Sequence, residues 1–163
     1  MSARQLPQTD YLVLKASFRE LVRLVGSETH AARLTRVSQQ HLGRYGSVAE
    51  EQSEYFAPID IIADLEAEVG PVVTRELARL TNHLIVALPP GAREVVDLGR
   101  VTGKAMKEAG EVFTGLGQSL DDGILSSVEG RDLVRDIDEA MVMLATLKLM
   151  VVERVRLDAE GPR

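Results

Sequence analysis

The sequence contains no cysteine and no tryptophan, and it lacks an apolar run long enough to cross a bilayer. Without cysteine the chain forms neither disulfides nor thiolate metal sites, which is typical of cytosolic proteins. The longest apolar stretch, residues 141–152, contains Lys148. It is also shorter than the roughly 20 residues that a membrane helix needs. The opening MSARQLPQTD has no signal-peptide core, so we expect a cytoplasmic protein without membrane contact.

The sequence is also poor in residues that would support metal or catalytic chemistry. Its three histidines, His30, His41 and His83, lack the spacing of helical metal ligands. No nucleophile lies in a pattern with a candidate base and a third orienting group. We therefore expect no enzyme activity, no catalytic residues, no metal and no cofactor.

Strand signals are nearly absent, and apolar residues recur instead at three- and four-residue steps. Hydrophobic residues make up 45% of the chain and aromatic residues only 4%, so an aliphatic core between helices is expected. The pattern predicts an all-α fold with helices over about 9–25, 28–35, 39–45, 58–69, 71–88, 92–116 and 126–157.

Three details of these predicted helices can be checked directly. Ile59, Ile62, Leu65 and Val69 are expected on the inner face of the fourth helix. The fifth helix is expected to carry an apolar stripe that runs from Val73 through Leu77, Leu80 and Leu84 to Leu88. The spacing of Ser126 and Glu129 predicts a capping box at the start of the last helix.

The clearest break in the chain is LPPGA at residues 88–92, because two prolines and a glycine do not continue a helix. We therefore predict two domains, residues 1–88 and residues 89–163.

The net charge of −6 is unevenly distributed along the chain. Residues 1–46 contain seven Lys or Arg against three acids, residues 47–70 contain seven acids and no Lys or Arg, and residues 71–163 contain twelve basic and fifteen acidic groups. A basic surplus confined to one segment is the pattern expected of a nucleic-acid-binding surface.

That basic segment ends with THAARLTRVSQQHLGRYG, residues 29–46. Ala32 is a small residue where two helices can cross closely, Val37 can anchor a turn, and Leu42 can anchor a second helix five residues later. These features are typical of a helix-turn-helix. Two positions depart from the usual pattern, because Thr35 and Arg36 replace the common apolar residue and glycine of the turn. An ordinary corner between two core helices is the alternative interpretation.

On the helix-turn-helix interpretation, the second helix presents side chains that can recognise DNA. A glutamine amide pairs with adenine and an arginine with guanine, so Gln39, Gln40 and Arg44 are predicted to contact bases. Contacts with the DNA backbone, which position the protein without specifying sequence, are predicted for Arg33, Arg36, Ser38, His41 and Tyr45.

The last predicted helix is apolar around much of its circumference, which two long helices alone cannot cover. This favours self-association into a homodimer or homotetramer. The residues predicted for the oligomer interface are Ile137, Met141, Leu144, Leu147, Met150 and Val151.

Two groups of segments resemble a known family. The first is ARLTRVSQQHL followed by a polar loop and APIDIIADLE, and the second is GRVTGKAMKEAGEVFTG followed by RDLVRDIDEAMVMLATLKL. In order and character they resemble the CII-type transcriptional regulatory proteins of temperate phages that use a lambda-repressor-like head. The resemblance implies an N-terminal lambda-repressor-like helix-turn-helix domain, two long C-terminal helices, and an oligomeric DNA-binding regulator encoded by a phage or derived from a prophage.

The sequence thus predicts a sequence-specific transcriptional regulator that binds double-stranded DNA and associates with the bacterial nucleoid when bound. Glu50, Glu51 and Glu54 make RNA polymerase a further candidate partner, against the alternative that they belong to a solvated loop. The competing functional hypothesis is a helical protein-protein adaptor with a vestigial helix-turn-helix.

Overall fold

The computed structural model describes residues 4–90, 97–120 and 124–160. The described residues contain α-helices and one 3-10 helix but no strand, which confirms the all-α class. The chain divides into two compact units, Met1–Ile85 and Val86–Arg163. No helix in the described ranges is both long and apolar enough to cross a membrane.

The first unit contains five α-helices among its described residues, and the second contains two. Their bounds are α1 Gln8–Val25, α2 Glu28–Leu34, α3 Gln39–Gly46, α4 Ile59–Val69, α5 Val73–Leu80, α6 Leu98–Ser119 and α7 Ser127–Glu160. A single 3-10 turn, Glu50–Gln52, lies between α3 and α4.

In the first unit α1 packs against α2, α3, α4 and α5, so it forms the centre of the bundle. The buried core comprises Phe18, Leu21, Val22, Ala31, Leu42, Ile61, Leu65 and Val73. Burying a leucine or phenylalanine side chain of this kind contributes about 1.5–3 kcal/mol. The short helices α2 and α3, with 7 and 8 residues, are therefore held by tertiary packing and not by their own propensity.

One core position holds a charged residue that the apolar pattern did not predict. Lys15 is only 2% exposed, and its Nζ donates hydrogen bonds to the carbonyls of Tyr45, Gln52 and Tyr55 at 3.2, 2.9 and 2.6 Å. Burial and the nearby Arg4 guanidinium lower the pKa of Lys15. This lysine ties the end of α3 and the following loop to α1, so its charge is not presented to a partner.

The predicted inner face of α4 is wrong at its start. Ile61 and Leu65 are fully buried, while Ile59 is 83% exposed and Val69 is 36% exposed. The helix begins only at Ile59, with Pro58 at the N-cap, so the first apolar residue projects beyond the core. The face that contacts α1 is shifted to Ile61, Leu65 and the half-buried Ile62.

The predicted helix over 71–88 is wrong beyond Leu80. Asn82 adopts the left-handed conformation with φ of 57°, the amide of His83 donates to the carbonyl of Ala78, and the amide of Asn82 donates to that of Arg79. These two bonds form a Schellman C-cap that stops the helix. Leu84 and Leu88, expected on the helical stripe, are non-helical and exposed.

In the second unit α6 and α7 pack along each other. The expected start of α6 near residue 92 lies outside the described residues. The predicted capping box is confirmed, because Glu129 Oε2 accepts from the amide of Ser126 at 3.0 Å and Ser126 Oγ accepts from that of Glu129 at 3.3 Å.

Candidate nucleic-acid interface

The surface that carries the predicted DNA contacts is built on α2 and α3, which pack against each other and against α1. Ser27 caps α2 by accepting a hydrogen bond from the amide of His30 at 3.1 Å. Ala31 is fully buried, and the neighbouring Ala32, the residue predicted at the close crossing, is half-buried against the core. Small residues at both positions allow α2 to lie close to the rest of the bundle.

The two predicted anchor residues hold α3 and the connection before it against the core. Leu42 is 1% exposed, and Val37 packs against the same core cluster. At about 100° per residue, Gln40 and Arg44 lie about 160° around α3 from the buried Leu42, whereas Gln39 lies only about 60° from it. Gln39, Gln40, His41 and Arg44 are all exposed.

The three residues predicted to contact bases, Gln39, Gln40 and Arg44, are all exposed. Gln40 and Arg44 lie on the side of α3 opposite Leu42, and Gln39 is the first residue of the helix. Gln39 has a defined orientation, because the Thr29 hydroxyl donates to its Oε1 at 2.9 Å. The amide nitrogen of Gln39 is left to donate elsewhere. Thr29, in the first turn of α2, is a positioning residue that the sequence pattern did not single out.

Ser38 stands at the N-cap of α3, yet its hydroxyl makes no hydrogen bond to a backbone amide of the helix. It pairs with Nδ1 of His41 at 2.9 Å instead. This contact joins two of the predicted backbone-contacting side chains at the exposed start of α3.

Tyr45, also predicted to contact the DNA backbone, is half-buried. Its ring packs edge-on against Phe18 with centroids 5.9 Å apart. The ring therefore helps to hold α3 against α1.

The arginines of this surface fall into two groups. Arg33 and Arg44 are exposed, and neither forms an ion pair with a carboxylate in the described part of the chain. Arg36 instead donates two hydrogen bonds to the Asp60 carboxylate at the start of α4, with Nε–Oδ2 and Nη2–Oδ1 distances of 2.6 and 3.2 Å. The hydrogen bond with Arg36 lowers the pKa of the Asp60 carboxyl. Arg36 thus links the α2–α3 connection to α4. Of these three arginines, only Arg33 and Arg44 form no ion pair with a described carboxylate.

A further arginine lies beside this surface although the sequence motif does not include it. Arg19 of α1 is exposed, and a Cβ added to Gly46 would clash with its Cγ. The absence of a side chain at Gly46 lets the last turn of α3 approach the aliphatic stem of Arg19. The only sign of this contact in the sequence is a glycine in the last turn of α3. A glycine alone does not indicate that Arg19 is the residue packed against it.

A second candidate surface lies on α7. Ile137, Leu144 and Val151, spaced by seven residues, are 37%, 50% and 44% exposed. Of the other three predicted interface residues, Met141 and Leu147 are half-buried and Met150 is 2% exposed. Of the six predicted interface residues, Ile137, Leu144 and Val151 are therefore the ones left open to another chain, and we call these three the α7 stripe.

In the described ranges no three His, Asp or Glu side chains are placed together as metal ligands. The chain matches no protein-family model, no curated protein and no solved structure. Its function is consequently inferred from the residues described above.

Proposed function

We propose that this chain is a sequence-specific DNA-binding transcriptional regulator that acts as an oligomer. In this proposal α2 and α3 are a helix-turn-helix within a lambda-repressor-like head, and α3 enters the major groove. The protein works in the bacterial cytoplasm, associated with the nucleoid when bound to DNA, as a regulator of phage or prophage origin.

The observation that carries the proposal is the division of α3 into two sides. Leu42 is buried, whereas Gln39, Gln40 and Arg44 are exposed together. Glutamine and arginine are the side chains that make paired hydrogen bonds with adenine and guanine. An ordinary corner between core helices would also expose polar side chains, so the proposal depends on the combination of these residue types in α3 with the neighbouring arginines that form no ion pair.

The charges around α3 support the same proposal. Arg33 and Arg44 make no ion pair with described carboxylates, so both can neutralise phosphates without breaking an existing contact. Arg36 is already paired with Asp60. It would contact a phosphate only if its guanidinium bound the phosphate and Asp60 together, or if the pair with Asp60 broke. We therefore assign the main backbone contacts to Arg33, with Ser38 and His41 contributing from the start of α3.

The α7 stripe supports the oligomeric part of the proposal. A single short recognition helix gives limited affinity, and two heads linked through their second units bind one duplex far more tightly. The same stripe is the observation that favours the competing function, a protein-protein adaptor. The adaptor hypothesis requires no DNA binding, so DNA binding separates the two.

Selection of bound sequences from randomised duplexes tests the proposal. The wild-type protein is expected to enrich a defined motif, and Gln40→Ala combined with Arg44→Ala is expected to lose that enrichment while remaining folded. The matched control is Gln8→Ala combined with Arg23→Ala on α1, which removes the same two residue types from exposed positions. Equal enrichment by both double variants would show that α3 does not contact bases.

A further inference from the structure

The side of α6 that faces away from α7 alternates glycine with large apolar residues. Six exposed residues follow a seven-residue repeat, with a glycine three positions before each large side chain: Gly103, Met106, Gly110, Phe113, Gly117 and Leu120. The three large side chains are 71%, 73% and 49% exposed. The buried residues of α6 are Val101 and Ala105, and Gly110 lies about 180° around the helix from Val101. We call the six exposed residues the α6 face.

The glycines of the α6 face leave open space along the helix. A Cβ added at Gly103, Gly110 or Gly117 would meet no atom within 4 Å, so packing inside the chain does not explain why these positions lack a side chain. Glycine also disfavours a helix. Alternate steps of three and four residues are the a and d spacing by which two helices pack side chains of one into spaces on the other. The α6 face therefore has the pattern of a contact with another helix.

The order of small and large residues makes the α6 face complementary to itself in one orientation. In a parallel, in-register pair each residue faces its own copy, so glycine meets glycine and Phe113 meets Phe113. An antiparallel pair with its two-fold axis between Gly110 and Phe113 places every large side chain opposite a glycine. The opposed residues are Phe113 and Gly110, Met106 and Gly117, and Leu120 and Gly103. Such a two-fold contact uses the same surface on both chains and closes on itself.

The charges of α6 favour the same orientation. All the Lys and Arg of α6 lie in its first ten residues, at Arg100, Lys104 and Lys107, and residues 112–119 carry no charge. A parallel pair would bring the cations of both chains side by side. An antiparallel pair places them beside the uncharged end of the other α6, where Thr114, Gln118 and Asp136 of α7 line a surface groove. Like charges are thus separated, and a carboxylate lies near the cations.

We propose that α6 pairs antiparallel with α6 of a second copy of this chain through the α6 face. Covering the three large side chains of both copies removes on the order of 600 Å² of apolar surface from water. Stable interfaces bury about 1,200–2,000 Å², so this pairing is weak alone and joins chains that the α7 stripe already links. It therefore rests on the oligomeric part of the proposed function, and it converts dimers into tetramers as concentration rises.

Sedimentation equilibrium over a wide concentration range tests the pairing. The wild type is expected to show a dimer–tetramer step. Phe113→Asp and Gly110→Leu should weaken that step by about tenfold or more and leave the dimer intact. Both sites are exposed and a Cβ at Gly110 meets no neighbour, so helicity by circular dichroism should be unchanged.

The matched control is Glu111→Leu, which adds the same leucine about 100° around the helix from Gly110 and should associate like the wild type. Equal association by Gly110→Leu and Glu111→Leu would overturn the α6 pairing. So would a wild type that stays dimeric at every concentration, which would leave the proposed function standing. A monomeric wild type would overturn the oligomeric part of the proposed function as well.

The orientation can be tested by crosslinking, because the chain has no cysteine of its own. Lys107 and Thr114 are exposed on the same flank of the α6 face. In the antiparallel pair, Lys107 of one chain and Thr114 of the other are separated by about 3 Å along the axis, whereas the two Lys107 are separated by about 14 Å. A short bismaleimide should therefore crosslink co-expressed Lys107→Cys and Thr114→Cys chains far more efficiently than Lys107→Cys alone. Efficient crosslinking of Lys107→Cys alone would contradict the antiparallel orientation.

Discussion

At the scale of single residues, Lys15 is the strongest structural determinant of the first unit that the sequence pattern missed. Its position in α1 fits the apolar spacing of Leu14, Phe18 and Leu21, but lysine is almost always a surface residue. Three carbonyls from a distant part of the chain make its burial possible. Since those partners are set by the path of the loop after α3, the local sequence contains no sign of them.

Replacing Lys15 with methionine keeps an unbranched side chain that is one atom shorter and removes all three hydrogen bonds. We expect Lys15→Met to lower the free energy of unfolding of the first unit by about 2 kcal/mol or more, because buried carbonyls lose their donor. All three tyrosines of the chain, Tyr11, Tyr45 and Tyr55, lie in this unit. Tyrosine fluorescence during urea unfolding therefore reports on it selectively.

The control for that measurement is Arg23→Met, which removes an exposed cation from the same helix. It is expected to change the free energy of unfolding by no more than about 0.5 kcal/mol. Equal midpoints for the two variants would show that the Lys15 contacts do not stabilise the fold.

Gly46 offers a second test at this scale, because it decides how closely α3 approaches α1. A Cβ at this position would clash with Cγ of Arg19, near the base of that side chain. Gly46→Ala should therefore destabilise the first unit by about 1–3 kcal/mol through overpacking. The measurement is again urea unfolding followed by tyrosine fluorescence.

Gly43, in the same helix, is the matched comparison. A Cβ there would meet only the carboxylate end of Glu28, at 3.3 Å from Oε1. That end can move, and alanine is favoured over glycine in a helix by about 1 kcal/mol. Gly43→Ala is thus expected to be as stable as the wild type or more so. If Gly46→Ala shows the same behaviour, the close approach to Arg19 has no energetic consequence.

At the scale of elements, the sequence predicted most of the helices. It predicted less well the residue at which some helices end and the face that they bury. The start of α7 followed from a local signal, the Ser126–Glu129 pair, which acts within one turn. The end of α5 did not, because Leu84 and Leu88 continue the apolar spacing beyond Asn82. A left-handed asparagine and its two backbone hydrogen bonds outweigh that spacing.

The candidate site shows the same limit. Exposure of Gln40 and Arg44 could be predicted from the position of Leu42 in the same helix, whereas Gln39 lies only about 60° from Leu42. The pairing of Arg36 with Asp60 could not, because the two residues are 24 positions apart and only the packing of α4 brings them together. Local spacing predicts which side chains of a helix are exposed. Tertiary structure decides which of the exposed charged side chains form an ion pair within the protein.

In the proposed function, assembly depends on the α7 stripe. Leu144 is 50% exposed at its centre, so Leu144→Asp introduces a charge where a second chain would exclude water. We expect the variant to dissociate into monomers in sedimentation equilibrium at micromolar concentration, with unchanged helicity by circular dichroism.

Val128→Asp is the control for this test. Val128 is 58% exposed on α7 and lies about 160° around the helix from Leu144 at 100° per residue. The same charge at this position should leave the oligomer intact. A wild-type protein that sediments as a monomer at micromolar concentration would refute the oligomeric part of the proposal.

At the scale of the whole molecule, the overall charge is −6 and the basic surplus belongs to residues 1–46. Within that segment Lys15 is buried, and Arg4, Arg23 and Arg36 are each paired with an acid. The acidic majority would repel DNA if it were spread evenly. Seven of the acids are concentrated in residues 47–70, outside α2 and α3. In the proposed function, association with DNA depends on a small number of contacts per chain, and joining two heads through the second unit raises the affinity at cellular salt.

The most direct test of the central claim is a salt titration of the full-length protein with a fluorescently labelled duplex, followed by anisotropy. We predict saturable binding at low salt. The logarithm of the association constant should fall linearly with the logarithm of salt concentration, and Arg33→Gln should make that slope shallower by about 0.9 for each phosphate that Arg33 neutralises. A folded, oligomeric protein that binds no duplex even at low salt would contradict the claim and leave the α7 stripe as the basis of an adaptor function.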